Sequence, residues 1–410
     1  MLDTRTSKGV ATVREINTTT GGGRAVTLRF PKDEYEGRLA RTRAELKRRG
    51  LAATLLYAQE SHYYLTGFDS GGYVFYQVGI LTADDRPPVL LTRRPDLAQA
   101  RDTSLYEDIR IWYDAEDQNP ARELRAILEE LGLKGERVGI ELASYGLTGF
   151  NHQLTRDALD GFCTLVDASD VVRGQRATKS PLELEYVRTA AKLADDAIVA
   201  MVASAQAGVI DSAVTAAGVS AMLAGGGDMP PGGPLVNSGR RAVYGRGVGG
   251  PRRLDAEDQL MLELSASYCR YNVCIEHAVA IGTPRPRQVA MFDVARDTLH
   301  AMTEVAKPGA PIGRIAEVFL DRLDRAGFAK QRFAACGYSL GATYRPTWMD
   351  VPPMIFAGNR TPLAPGMTLF PHVMLGDMEA GVAAGVGWTI LITETGAEVL
   401  SRLPLELHRR

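Results

Sequence analysis

The stretch YNVCIEHAVAIG, residues 271–282, decides how the second half of this chain is read. Its apolar, β-branched composition predicts a buried β-strand. Side chains alternate along a strand with a period of two. Asn272, Cys274 and Glu276 therefore share one face. Tyr271, Val273, Ile275, His277 and Val279 share the other. A buried carboxylate is costly unless it meets a partner or a cation, so Glu276 is a candidate functional residue. The competing reading is a structural ion pair or a strand-edge residue. Cys274 faces the same way, and without a lowered pKa it reads as a buried, inert thiol. His277, on the apolar face, reads as a satisfied core histidine.

QLMLELSA at 259–266 predicts the preceding strand, and helices are expected near 286–306 and 312–326. From GMTLFPHVML at 366–375 to WTILITETGAEVL at 388–400 the chain is strand-rich. Upstream, TKSPLELEYVRTAAKLADDAIVAM predicts a helix to about Ala207. Ser180 serves as N-cap, Pro181 stands at the first helical position, and Glu183 completes a capping box. GGGDMPPGGPLVNSG, residues 225–239, reads as a loop.

The N-terminal half alternates strands and helices, which describes an α/β domain. A helix over 31–49 carries Tyr35, Leu39 and Leu46 on one stripe and ends at Gly50. Strands are expected at 52–57, in YVFYQVGIL (73–81), PPVLLTR (87–93), IRIWY (109–113) and RVGIEL (137–142). Asn119 and Pro120 open a helix. The expected organisation is a flexible lead at 1–27, an α/β domain at 28–172 and a second domain at 173–410.

With 410 residues, two domains are the first expectation. A net charge of −2 argues against a general nucleic-acid surface. No apolar run is long enough to span a bilayer, and the N-terminus lacks the apolar core of a signal peptide. The four cysteines lack disulfide-framework or zinc-ribbon spacing, so a reducing cytoplasmic compartment is expected.

GRGVGG at 245–250 matches G-x-G-x-x-G, but Pro251, Arg252 and Arg253 follow where the dinucleotide fingerprint needs a helix. It reads as a loop. Of its arginines, Arg246 is the candidate for holding a substrate carboxylate, since a guanidinium fork matches a carboxylate at two points.

Five stretches in order resemble the creatinase/aminopeptidase P/prolidase superfamily. They are SHYYLTGF (61–68), TKSPLELEYVRTAAKLADDAI (178–198), RRLDAEDQLMLELSASYCRYNVCIEHAVAIG (252–282), FAACGYSLGATY (333–344) and LAPGMTLFPHVML with GWTILITETGAEVLS (363–375 and 387–401). The resemblance implies an α/β N-terminal domain, an α+β pita-bread C-terminal domain and a homodimer. It also implies a two-metal site of two Asp, one His and two Glu. Carried over one at a time, these positions fall on Glu263, Cys274, Tyr338, near His372, and on Gly387. Only Glu263 remains a carboxylate there, while two metal ions need bridging carboxylates to offset their charge. No metal and no cofactor are therefore expected.

Glu276 matches the position of a glutamate that creatinase, a metal-free member, sets against a guanidinium. GYSLGATYRPTW and PGMTLFPHVML are also similar to the ectoine-hydrolase-like branch. The implied activity is hydrolysis of a C–N bond in a small amidine, guanidino or cyclic amide compound that carries a carboxylate. Glu276, His372 and Tyr338 are the expected catalytic residues. Arg246, Tyr244, Cys274 and Glu263 are the expected substrate-binding residues. Creatinase's substrate-side histidine falls on Tyr244 or Arg246, and its later glutamate near His372, so creatine itself is not implied. The alternatives are a peptidase-like hydrolase with zinc on Glu263, Cys274 and His372, a lyase or isomerase, and a non-catalytic binding module.

Overall fold

A computed structural model describes residues 15–247 and 250–410. The chain divides into two compact units, one ending at Arg176 and the other spanning Ala177–Arg410.

The first unit opens with a hairpin, β1 (Ile16–Thr19) and β2 (Ala25–Leu28). This corrects the flexible lead expected over 1–27 in its described part; residues 1–14 lie outside the described residues. There follow α1 (Lys32–Arg49), β3 (Ala53–Leu56), α2 (Gln59–Thr66), β4 (Val78–Thr82), β5 (Val89–Arg93), α3 (Leu97–Thr103) and β6 (Asp108–Trp112). Then come α4 (Pro120–Glu130), β7 (Arg137–Ile140), α5 (Gly149–Leu159), β8 (Thr164–Asp167) and α6 (Ser169–Arg176). The six-stranded sheet runs β6-β5-β4-β3-β7-β8.

Gly50 ends α1 in the left-handed region at φ 63°, where glycine carries no Cβ penalty. The Asn119 side chain caps α4 by accepting from the Ala121 amide. The strand expected over 73–81 begins only at Val78, and residues 72–74 form a short 3-10 turn instead.

The second unit starts with α7 (Pro181–Ser204). Both halves of its capping box are present: the Glu183 amide donates to Ser180 Oγ, and the Ser180 amide donates to Glu183. Next come α8 (Asp211–Ala224) and β9 (Leu235–Ser238). The strand corrects the reading of 225–239 as loop throughout. There follow β10 (Asp258–Tyr268), β11 (Tyr271–Ile281), α9 (Pro286–Glu304), α10 (Gly313–Arg325), β12 (Gly337–Leu340) and β13 (Met349–Met354). The unit ends with β14 (Thr368–Asp377), β15 (Val382–Trp388), β16 (Ile390–Ile392), β17 (Ala397–Val399) and β18 (His408–Arg409). The main path of its sheet is β13-β12-β14-β15-β11-β10-β9.

One face of this sheet is covered by helices. Tyr186 of α7 packs edge-on against Tyr268, and Glu183 accepts from the Tyr271 hydroxyl at 2.7 Å. His300 of α9 packs on Trp388, whose indole donates to Thr303. Ile275 and Trp388 are cross-strand partners, so both helices cover the face that also carries Tyr271 and His277. His277 is buried there and pairs with His408 at 3.0 Å between ring nitrogens, as expected of a satisfied core histidine. The opposite face is left to Cys274 and Glu276.

Candidate active site

Register, rather than sequence proximity, builds the site. His372 on β14 lies opposite Gly387 on β15. Gly387 lies opposite Glu276 on β11, and Glu276 opposite Glu263 on β10. Directly opposed residues point to the same face, so one row across four strands presents His372, Glu276 and Glu263 together. Tyr338 joins from β12, where it opposes Phe370, two residues from His372.

The contacts follow from that row. His372 Nδ1 lies 3.6 Å from Glu276 Oε2, an ion-pair separation rather than a hydrogen bond. Both atoms are buried and neither has a hydrogen-bond partner among the described residues. Tyr338 donates to Glu263 Oε1 at 3.1 Å, and Cys274 Sγ lies 3.8 Å from the same oxygen. The Trp348 indole donates to the Tyr338 hydroxyl at 2.7 Å. The ring of Phe370 stacks on His372, with centroids 5.2 Å apart and planes 12° from parallel.

Two glycines of β15 make room for this arrangement. A Cβ at Gly385 would collide with Glu276 Oε1 and the Met261 methyl. A Cβ at Gly387 would meet Phe370 Cζ at 2.5 Å and His372 Cβ at 2.8 Å.

The electrostatics separate the groups. Burial, followed by the facing carboxylate of Glu276, raises the pKa of Glu263 to about 7. Burial alone would lower that of His372, yet the Glu276 and Glu263 carboxylates outweigh it and the net shift is upward. Burial and the charge of Glu263 push the Cys274 thiol well above its usual range. Cys274 is therefore a neutral thiol and not a poised nucleophile. Tyr338 is likewise held as a phenol, chiefly by burial.

Glu276, His372, Tyr338, Cys274 and Glu263 are thus brought together as expected. Tyr244 and Arg246 are not. Both side chains are exposed, and neither bonds to any member of the cluster among the described residues. The physical reason is that the turn after Val243 is tied down through its backbone. The Tyr244 amide donates to Arg241, and its carbonyl accepts from Asn237, which leaves the side chains outward. Val248 and Gly249 of the same loop lie outside the described residues. Arg241 and Arg252, by contrast, are engaged with Asp211 and Asp258. Trp348, Phe370 and Gly385 are neighbours that sequence reasoning missed.

The chain belongs to metallopeptidase family M24, whose model matches residues 185–394. The creatinase/prolidase N-terminal domain matches residues 38–178. The fold is accordingly an α/β N-terminal domain followed by a pita-bread domain. Among its relatives, the ectoine hydrolase of Halomonas elongata is 28% identical over 398 residues, covering 93% of this chain and 98% of that protein. The creatinase of Bacillus sp. (strain B-0618) is 24% identical over 392 residues, covering 93% of this chain and 94% of that one. The crystal structure of prolidase from Thermococcus sibiricus superposes with a TM-score of 0.82 at 17% identity, covering 92% of this chain and 99% of that one. No helix among the described residues is long and apolar enough to cross a membrane.

The family name implies a metal centre, and the residues here do not fit a two-metal one. At the five positions to which the resemblance carries the ligands stand Glu263, Cys274, Tyr338, His372 and Gly387. Gly387 has no donor atom. Cys274 and Tyr338 are both turned to the same Glu263 oxygen. Among the described residues, no group of three or more His, Cys, Asp or Glu is placed to hold a metal ion, including Glu263, Cys274 and His372.

Proposed function

We propose that the protein is a hydrolase of a C–N bond in a small amidine, guanidino or cyclic amide compound of amino-acid type, and that it works without the family's metal pair. The observation that carries this reading is the pairing of Glu276 Oε2 with His372 Nδ1, two buried polar atoms 3.6 Å apart that lack hydrogen-bond partners. Buried polar atoms of this kind have room for a hydrogen-bonding group beside them, a water or part of a substrate. A water placed against both, donating to Glu276 Oε2 and accepting from protonated His372 Nδ1, would satisfy each, and a substrate N–H could donate to Glu276 in its place.

In this reading Glu276 faces the cationic group of the substrate. His372, lifted by its carboxylate neighbours, stays protonated to higher pH than a free imidazole. It can give a proton to a leaving nitrogen and recover one from water, the work of a group titrating near neutrality. Glu263 supplies the second carboxylate, fixed by Tyr338. Similarity to an ectoine hydrolase and a creatinase supports a small, charged, amino-acid-like substrate.

Elemental analysis of protein prepared without chelators tests the metal-free part. Turnover of amidine, guanidino or cyclic amide substrates at sub-stoichiometric transition metal is the expected result. About one zinc per chain, lost together with activity, would overturn it.

A further inference from the structure

The Tyr338 hydroxyl meets the Trp348 indole, Glu263 Oε1 and, more distantly at 3.7 Å, the Cys274 sulfur, and the proposed chemistry uses only the Glu263 contact. An indole nitrogen can only donate a hydrogen bond, and a phenol has a single proton. The Trp348 N–H, 2.7 Å from the Tyr338 oxygen, occupies an acceptor site of that oxygen. The phenolic proton is then directed to Glu263 Oε1, 3.1 Å away. The Cys274 thiol lies 3.8 Å from the same Oε1. Both neighbours thus converge on one carboxylate oxygen, and no hydrogen bond to Oε2 is found among the described residues.

Trp348 is itself firmly placed. It belongs to a buried cluster with Cys274, Tyr338, Leu340 and Phe370. It also lies against Gly232, where a Cβ would meet ring carbon Cε3 at 2.7 Å. Among the described residues, the indole N–H of this bulky, donor-only side chain is directed to Tyr338.

We propose that Trp348 is a positioning residue: by donating to Tyr338 it sends the phenolic proton to Glu263 Oε1 and leaves Glu263 Oε2 as the oxygen that meets the substrate. This deepens the function proposed above and rests on it for the identity of the ligand. The Trp348–Tyr338–Glu263 chain is a property of the protein alone, and it can be read without any ligand.

Two measurements test it. In the first, the indole N–H resonances of the three tryptophans are followed by NMR on the full chain, with the Trp348 signal assigned by its loss in Trp348→Phe. Glu263→Gln is expected to shift that signal in the wild-type background and to leave it unmoved in Tyr338→Phe. A signal that ignores Glu263→Gln, or that moves equally without the Tyr338 hydroxyl, overturns the relay. In the second, calorimetry follows methylguanidine as probe. Trp348→Phe keeps the aromatic packing, and it is expected to weaken binding about tenfold, the scale of one well-placed hydrogen bond to a charged system. The same change made on Tyr338→Phe is expected to cost nothing further. Equal losses in both backgrounds would show that Trp348 acts by packing alone, which overturns the proposal. If wild-type protein ignores methylguanidine altogether, the cationic-substrate reading fails, and the resonance shift still decides the role of Trp348.

Discussion

Glu276→Gln is the sharpest test of the site, because it removes a charge and almost nothing else. Glutamine keeps the shape of the side chain. That matters, since Gly385 leaves no spare volume beside Oε1. The carboxylate lies 3.6 Å from His372 Nδ1. At an effective dielectric constant of about 20, unit charges at that distance interact by roughly 4–5 kcal/mol. This bounds what a substrate cation or a protonated His372 can lose. Removal of the charge leaves burial as the main influence on His372, so its pKa falls below the ordinary imidazole value and the proton donor disappears at neutral pH. Glu263 loses the repulsion that helps raise it and titrates lower than about 7. Turnover is expected to fall about a hundredfold or more, or about 2.7 kcal/mol in barrier height. Thermal stability is expected to change little, because the ion pair with His372 is lost while a buried carboxylate is removed and His372 gives up its proton. The assay pairs a melting curve with initial rates on amidine, guanidino and cyclic amide substrates. A variant that unfolds, while its remaining folded fraction keeps full activity, would make Glu276 a structural ion-pair partner and refute the assignment.

Gly387→Ala puts a methyl against the Phe370 ring and the His372 Cβ. Overpacking should cost about 1–3 kcal/mol and lower the melting temperature by several degrees; an unchanged melt would mean that the strand yields freely. His277 is fully buried and its pKa is pushed down to about 3, by burial first and by His408 second. The folded chain therefore takes up this proton less readily than the unfolded one. The stability that His277 confers is complete above about pH 6.5 and is lost progressively as the pH falls toward 3. Denaturant midpoints measured from pH 7 down to 5 should decline less steeply in His277→Gln than in the wild type, and identical slopes would count against this account.

Local patterning was legible where the physics is local. The capping box at Ser180 and Glu183, the glycine stop at Gly50 and the two-residue alternation of 271–281 all depend on neighbours in sequence, and all are found in the structure. Alternation alone placed Cys274 and Glu276 on one face and His277 on the other. Cross-strand register could be approached only through family resemblance, since nothing in β10, β11, β14 and β15 taken singly aligns Glu263, Glu276, Gly387 and His372. The helix α8, DSAVTAAGVSAMLA, left no mark on the sequence reading because alanines and glycine blur its apolar stripe. The loop arginines misled for a related reason. A guanidinium is chemically suited to a carboxylate, but composition cannot say whether the backbone turns it inward, and Arg246 is turned out. Trp348 gave no signal at all, because its importance lies in a hydrogen bond to a residue on another strand.

The glycine at 387 limits what its strand can carry. The resemblance places a metal-binding glutamate at this position in the peptidases, and here the space such a side chain would enter is filled by the ring of Phe370. That ring in turn lies flat on His372. The absence of a side chain at 387 and the seating of the histidine are therefore one packing arrangement, shared by two neighbouring strands. A single substitution back to glutamate would clash with the ring, and shrinking the ring first would unseat the imidazole. Each single change therefore fails on packing, and only a paired change at 370 and 387 could admit a side chain on this strand.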